Sequence, residues 1–277
     1  MFSLIDLKPR NMELKGKTCI ITGASSGIGE SLAREMAAQG ATVVLAARRQ
    51  EKLDKITLEI KNSGGNALAL RTDLTDPNQC RTLIANTIET YEHLDILILN
   101  AGVSMWTPFE NIEDVSFFEQ IMATNYMGAV QCIHAALPHL KTVRGMIVNC
   151  STAQALIGFS NHSGYVASKH AIHGFLDTLD MEQEGSIQFL EVIMGWIRGT
   201  NLRSNAFGDH GRKMGETKRE HSSNSVGLEE CTNGIIRGII NEKKTVYIPW
   251  KLRLVPFLDL FMKGYIRRKI IRAVRSE

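Results

Sequence analysis

Seven short apolar runs, most of them followed by a stretch of helical periodicity, constrain the fold of this chain more than any other feature of its sequence. The runs CIIT, TVVLA, DILIL and MIVNC are almost continuously hydrophobic. A strand with one wet face alternates apolar and polar residues, whereas a strand covered on both faces does not. Strands are therefore predicted at Thr18–Thr22, Thr42–Ala46, Ala67–Leu70, Asp95–Leu99, Met146–Cys150, Ile187–Ile193 and Thr245–Ile248, with helices near 28–39, 50–62, 77–91, 113–140, 164–183 and 228–241. Gly40 and Gly64-Gly65 stand where helices should stop, and Asp76-Pro77 reads as a cap followed by the first helical residue. Repeated strand–helix–strand order predicts an α/β fold: a doubly wound parallel sheet with helices on both faces and right-handed crossovers.

Composition and charge narrow the classes. A chain of 277 residues, 44% hydrophobic and 22% charged, can build one large core and does not read as disordered. No run of about 18 apolar residues suggests a spanning helix, and the opening MFSLIDLKPRNMELKG, with Asp6 and Glu13, does not read as a signal peptide. Five scattered cysteines, none at C-x-x-C spacing, read as reduced thiols, and a cytoplasmic location is expected. From residue 251 onward eight bases face two acids, while the remainder carries 24 bases and 27 acids. Residues 1–250 thus read as a single, mildly acidic domain without a nucleic-acid partner, and 251–277 as a basic, apolar tail. The stretch 203–227 is polar, Gly-rich and aperiodic, and reads either as a surface insertion or as a lid over substrate.

The sequence TGASSGIG, Thr22 to Gly29, ends the first strand and opens the first helix. Gly23, Gly27 and Gly29 let the backbone approach a pyrophosphate, and the free N–H groups and positive end of the helix favour an anion there; Ser25, Ser26 and Ile28 complete the turn. An NAD enzyme normally carries an acid at the end of the second strand. Here stand Ala46-Ala47-Arg48-Arg49, which suit the 2′-phosphate of NADP(H), with Ser25 as a further donor. Asp73-Leu74 follows the third strand and is placed either to accept from the adenine amino group or simply to make a turn. Asn100-Ala101-Gly102 follows the fourth strand, at the carboxyl edge where such sheets bind ligands.

Tyr165-x-x-x-Lys169 opens the helix after the fifth strand, with both side chains on one face. A free phenol titrates near pH 10, so proton exchange near neutrality needs a drop of about 3 units, which a neighbouring ammonium can help supply. By itself the pair equally describes an ordinary helix face.

Taken together, TGASSGIG, Asp73-Leu74, Asn100-Ala101-Gly102, Asn125, the hydroxyls at 151–152 and YVASK at 165–169 resemble the short-chain dehydrogenase/reductase family, over about residues 14–250. The resemblance implies a Rossmann sheet of seven parallel strands in the order 3-2-1-4-5-6-7, and an active site of Asn125, Thr152, Tyr165 and Lys169. It also implies a homodimer or tetramer built through helices 113–140 and 164–183. Tyr165 would exchange the proton, Lys169 would tune it and hold the ribose, and Asn125 would hold a relay water. The family's serine, thirteen residues before the tyrosine, is here Thr152, while Ser151 should point the other way. A second departure follows the sixth strand: Met194 stands for a proline, and Gly199 appears as an insertion before Thr200. Cofactor contacts are implied from Gly195, Ile197 and Thr200. No metal signature is found; His134, His139, His170 and His173 lack supporting ligands.

The tail, from Thr245 to Glu277, mixes bulky apolar residues with bases. Pro256 is expected to start a helix carrying Leu258, Phe261, Met262 and Tyr265 on one side, with Gly264 breaking it. Three placements stand open: against the body or a second subunit, at the rim of an apolar substrate entrance, or peripherally on an anionic membrane surface. The region from Gly195 onward resembles the branch that includes dehydrogenase/reductase member 7B and the 11β-hydroxysteroid dehydrogenases, which implies a lipophilic substrate. The reading is an NADP(H)-dependent reductase of carbonyls or dehydrogenase of secondary alcohols; the alternative is an NADP(H)-binding sensor or scaffold with little turnover.

Overall fold

The computed structural model describes residues 11–209, 211–215 and 225–275. Seven strands form one parallel sheet: β1 (Thr18–Thr22), β2 (Thr42–Ala47), β3 (Asn66–Arg71), β4 (Ile96–Leu99), β5 (Met146–Thr152), β6 (Gln188–Met194) and β7 (Thr245–Ile248). Their order is β3-β2-β1-β4-β5-β6-β7, as expected of a Rossmann sheet. The order reverses between β1 and β4, which pair Ile20 with Leu97, and a crevice opens at such a switch point.

Helices cover both faces. Helices α1 (Gly27–Ala38), α2 (Gln50–Asn62) and α7 (Leu228–Ile240) bury Leu32, Met36, Leu53, Ile60, Ile235 and Ile239 on one side. Helices α3 (Pro77–Tyr91), α5 (Gly128–Val143) and α6 (Ser163–Gln183) bury Leu83, Ile84, Cys132, Leu140, Ile172 and Leu176 on the other. The strands supply both cores by alternation: in β4, Ile96 and Ile98 face the first layer, Leu97 and Leu99 the second. That double burial is why the strand sequences are continuous hydrophobic runs.

The expected boundaries shift where tertiary contacts act. β5 runs two residues past Cys150 because β6 pairs with it as far as Thr152↔Met194. β4 begins after Asp95, whose carboxylate accepts from the Thr18 backbone N–H at 2.9 Å and from Lys17 Nζ at 2.8 Å. The expected helix 113–140 is three pieces: α4 (Ser116–Met122), a single π turn (Ala123–Met127), then α5. Asp114 fixes its start by accepting from Ser116 N at 2.8 Å.

The tail folds as a 3₁₀ segment (Trp250–Leu254) and α8 (Val255–Arg275). Gly264 does not break α8 as expected; the irregularity falls at Met262, with φ −132° and ψ 32°. The stripe of Leu258, Phe261, Met262 and Tyr265 does not face the body. Leu258 is half-buried, but Phe261, Met262 and Tyr265 are exposed, and Ile266 is the buried anchor. Among the described residues no helix is long and apolar enough to cross a membrane.

Candidate active site

The glycine turn links β1 to α1 at the carboxyl edge of the sheet. Gly23 has φ +67°, and a Cβ there would lie 2.8 Å from Ala101 Cα. A Cβ on Gly29 would lie 2.5 Å from the Gly23 carbonyl oxygen. Bare backbone is thus required by the packing of the turn itself. Ser26, at the N-cap of α1, makes no side-chain capping bond, so the first N–H groups of the helix keep their donor capacity. Arg49 folds back onto the turn, donating from Nη2 to Ser25 Oγ and Ser26 Oγ, both at 2.8 Å. Arg48 beside it is exposed and Ile28 half-buried. Guanidinium, serine hydroxyls and helix N-terminus together present donors of the kind that a phosphate accepts from.

The other cofactor candidates occupy the same edge. Asn100 ties β4 to the turn, donating from Nδ2 to the Thr22 carbonyl at 3.0 Å. The Thr22 hydroxyl accepts from Asn100 N and Ala101 N at 3.0 and 3.1 Å. Gly102 lies between the side chains of Asn125 and Lys169: a Cβ there would be 3.5 Å from Asn125 Oδ1 and 4.0 Å from Lys169 Nζ. Asp73 makes a turn, its Oδ1 accepting from Thr75 N at 3.0 Å and Thr75 Oγ1 at 2.9 Å; Leu74 packs under Gly128. Gly195 N donates to Ile248 O at 2.8 Å, and Ile197 bridges to Val226. Gly199 takes φ +83°, which turns the chain so that the side chain of Thr200 lies 3.6 Å from where a Gly27 Cβ would be. Thr200 thus comes back onto the glycine turn.

Asn125 sits in the π turn. Its Oδ1 accepts from Val103 N at 2.8 Å, and its Nδ2 donates to Val103 O and Ser168 Oγ, both at 2.9 Å. Ser168 in turn donates to the Tyr165 carbonyl at 2.8 Å. This chain of bonds locks the β4 loop, the π turn and α6 together, and a local change of helical register at a site of function is a common use of a π turn. Lys169 is buried, and its Nζ donates to Cys150 O at 3.3 Å. An ammonium has three donors, so it can still serve hydroxyl groups. Asn125, Lys169, Thr22, Ala101 and Leu74 line a small cavity with room for about one water molecule.

Lys169 Nζ lies 5.9 Å from the centre of the Tyr165 ring. Tyr165 is buried in an apolar cluster with Met105, Phe117, Ile121 and Phe207, and that burial pushes its phenol above the usual range. Burial likewise lowers the Lys169 ammonium from its ordinary value. The lowering of the Tyr165 phenol expected from the neighbouring ammonium is thus not found: burial acts on it in the opposite direction. Thr152 caps the short turn 153–155, its Oγ1 accepting from Gln154 N at 3.3 Å. A hydroxyl that accepts there still has its own proton to donate. Ser151 is buried, and its hydroxyl has no hydrogen-bond partner.

The sequence did not single out Thr22 or Ser168 individually, although both lie inside the motifs TGASSGIG and YVASK. Nor did it reveal an aromatic cluster beside Tyr165. Trp106 meets His162 edge-on at 4.6 Å and Trp196 at 5.7 Å; Phe159 meets His162 at 5.2 Å, and His162 lies 6.3 Å from Tyr165. These residues come from three separate loops and share no sequence period, so nothing in the chain order announces them. The described part of 203–227 closes over them: Trp106 N donates to Phe207 O at 2.8 Å and Phe207 N to Ser104 O at 2.9 Å. It is fastened as a flap to the loop that follows β4. His210 and residues 216–224 of that stretch lie outside the described residues. His173 is half-buried and pairs with Glu191 at 2.8 Å.

A family model described as short chain dehydrogenase matches residues 17–210. A protein of Arabidopsis thaliana named 11-beta-hydroxysteroid dehydrogenase 1A is 33% identical over 243 residues, covering 85% of this chain and 69% of that protein. A fatty acyl-CoA reductase of Acinetobacter baylyi is 41% identical over 188 residues, covering 67% of this chain and 64% of the relative. Among solved structures, a short chain dehydrogenase/reductase of Burkholderia phymatum in complex with NAD superposes with a TM-score of 0.78 at 20% identity, covering 91% of this chain and 96% of the other. An alcohol dehydrogenase of the archaeon Thermococcus sibiricus, complexed with 5-hydroxy-NADP, superposes with a TM-score of 0.71 at 22% identity, covering 83% and 95%.

Proposed function

This chain belongs to the short-chain dehydrogenase family of oxidoreductases, and on that premise we propose that it is an NADP(H)-dependent enzyme that interconverts a lipophilic carbonyl compound and its alcohol. The observation that carries the proposal is the convergence of Tyr165, Lys169 and Asn125 on the sheet edge that also holds the bare glycine turn. Arg49, bonded to both serines of that turn, supports a 2′-phosphate on the cofactor.

In this reading the bound nicotinamide supplies the hydride. Gly23, Ser25, Ser26, Gly27, Ile28 and Gly29 hold its phosphates, with Arg48 and Arg49 at the 2′-phosphate. Asp73, Leu74, Asn100, Ala101 and Gly102 line the adenine and ribose side, and Gly195, Ile197 and Thr200 close the nicotinamide side. Lys169 donates to ribose hydroxyls. Thr152 donates a hydrogen bond to the substrate oxygen and stabilises negative charge developing there. Tyr165 transfers its proton to that oxygen. Asn125 and Lys169, which line a cavity of about one water's size, return a proton to Tyr165 by relay.

A lipophilic substrate is supported by the aromatic cluster at Tyr165 and by the relative named for hydroxysteroids. Helix α8 also forms a half-open cavity of about 540 Å³ against the loop 156–160, whose lining mixes Leu156, Ile157, Phe159, Ile266 and Ile270 with Ser160, His170, Asp259, Lys263 and Arg267, so it does not itself favour an apolar occupant. Residues 1–250 form the catalytic domain in this reading. The tail makes peripheral contact with a membrane, and exposed Met127 and Met181 on the helices around 116–143 and 163–183 support assembly as a homodimer or tetramer.

Tyr165→Phe tests the reading. With a panel of ketones and NADPH, the variant should lose reduction by about 10³-fold or more while NADPH affinity stays within a few-fold of the parent. Equal turnover in both proteins, or no turnover in either, overturns it.

A further inference from the structure

The aromatic cluster carries a charge that the reaction proposed above does not use. Arg203, on the flap, places its guanidinium carbon 4.2 Å from the centre of the Trp106 ring. Trp106 meets His162, and His162 meets Tyr165, so a continuous wall of rings leads from the proton donor to this cation. Trp196 closes the wall from the other side, 5.7 Å from Trp106 and 6.5 Å from His162.

Among the described residues the guanidinium is held by stacking rather than by hydrogen bonds. Its Nε is covered and has no partner, and no described residue accepts from its terminal nitrogens or forms an ion pair with it. The acid in the described part of the flap, Asp209, is bonded to the hydroxyl of Thr107 instead. Arg203 is only half-exposed, and it stands close enough to His162 to help hold that imidazole neutral. A cation that is partly withdrawn from water normally sits beside an acid, since desolvation without a counter-charge is unfavourable. A planar guanidinium fixed on an aromatic face is pre-organised to grip a carboxylate through two parallel bonds.

We propose that Arg203 is the anchor for a carboxylate on the substrate, so that the enzyme prefers carbonyl compounds that carry an acid group beyond an apolar spacer. The inference rests on the reading of the site as a reductase and names its substrate class. The carbonyl lies at Tyr165 and Thr152, the spacer runs along His162, Trp106 and Trp196, and the carboxylate meets Arg203 beneath the flap.

The test uses the full chain with NADPH and a series of oxo carboxylic acids of increasing chain length, each paired with its methyl ester. The parent protein should prefer one or more acids over the matching esters. Arg203→Gln should raise KM for the best acid by roughly 10- to 100-fold, leave its ester within about twofold, and leave kcat for the ester unchanged. Arg203→Lys should recover part of the preference, because charge is kept and the planar fork is lost. Calorimetric titration of the same acid reads the site without turnover and should show weaker binding to Arg203→Gln by a similar factor. Equal use of acids and esters by the parent overturns the inference, as does a parallel loss on both in the variant, which would mark Arg203 as part of the wall only. If neither acid nor ester is reduced, the reductase reading fails. The inferred anion site is then judged by the titration alone, and unchanged acid binding in Arg203→Gln removes it.

Discussion

Arg49 illustrates how a side chain acquires meaning from its neighbours. It stands at the end of β2, where an acid would be expected for a free ribose, and its guanidinium reaches the hydroxyls of Ser25 and Ser26. A 2′-phosphate arriving there would replace neutral acceptors by a charged one, which strengthens each bond. Arg49→Ala should weaken NADPH binding by about tenfold and leave NADH binding unchanged, measured by titration of nucleotide fluorescence; an equal loss for both nucleotides would exclude the arginine as the selector. Thr152 gives the opposite lesson. Its place was predicted from the count back to Tyr165, but its accepting bond from Gln154 N is set by the turn that follows β5. Tyr165 and Lys169 are both buried, and burial moves each toward its neutral form. The sequence spacing suggested the pair; it carried no information on the apolar ring packing that pushes the phenol above its usual range.

The elements that carry these residues were legible to different degrees. Helix α2 occupies the expected 50–62 and β1 the expected 18–22, because both are bounded by local signals and packed by a clean periodicity. The helix predicted over 113–140 was not legible as built, since a π turn is written in no residue preference. It arises where Asn125 must reach Val103 and Ser168 at once. The β1–α1 turn lies at the other extreme: its glycines are fixed by contacts of 2.5 Å and 2.8 Å that any Cβ would make. Gly29→Ala should force the turn apart, lowering stability by about 1–3 kcal/mol and weakening NADPH binding at least tenfold. Thermal unfolding and nucleotide titration would read this, and an alanine variant with parental affinity would show that the cradle tolerates a side chain.

At the scale of the molecule, one sheet covered on both faces brings the ends of β1, β4, β5 and β6 to a single edge, and α8 extends the structure beyond it. Trp250, Phe257, Leu260 and Phe261 are each at least 60% exposed on the tail, among the bases Lys251, Arg253 and Lys263. Exposed aromatic and aliphatic side chains beside cations match an anionic lipid interface, where each base contributes about 1 kcal/mol. The full chain should float with phosphatidylserine-containing vesicles and much less with neutral ones. Replacing Phe257 and Phe261 by Glu should abolish flotation while leaving reduction of a water-soluble ketone intact; flotation unaffected by these changes would remove membrane contact from the proposal.

The succession of strands and helices along the chain, the glycine turn and the Tyr165–Lys169 pair were legible in the sequence alone, because each depends on short-range rules: burial periodicity, the backbone freedom of glycine, and one-turn spacing. Asn125, Thr152, Gly195, Ile197 and Thr200 became candidates only through the resemblance to the family. The π turn at Asn125, the return of Thr200 to Gly27, the aromatic wall and the stacking of Arg203 on Trp106 were decided only by the tertiary structure. Those contacts join segments far apart in the chain. Their geometry follows from how layers pack over the sheet edge, and no local pattern of residues encodes it.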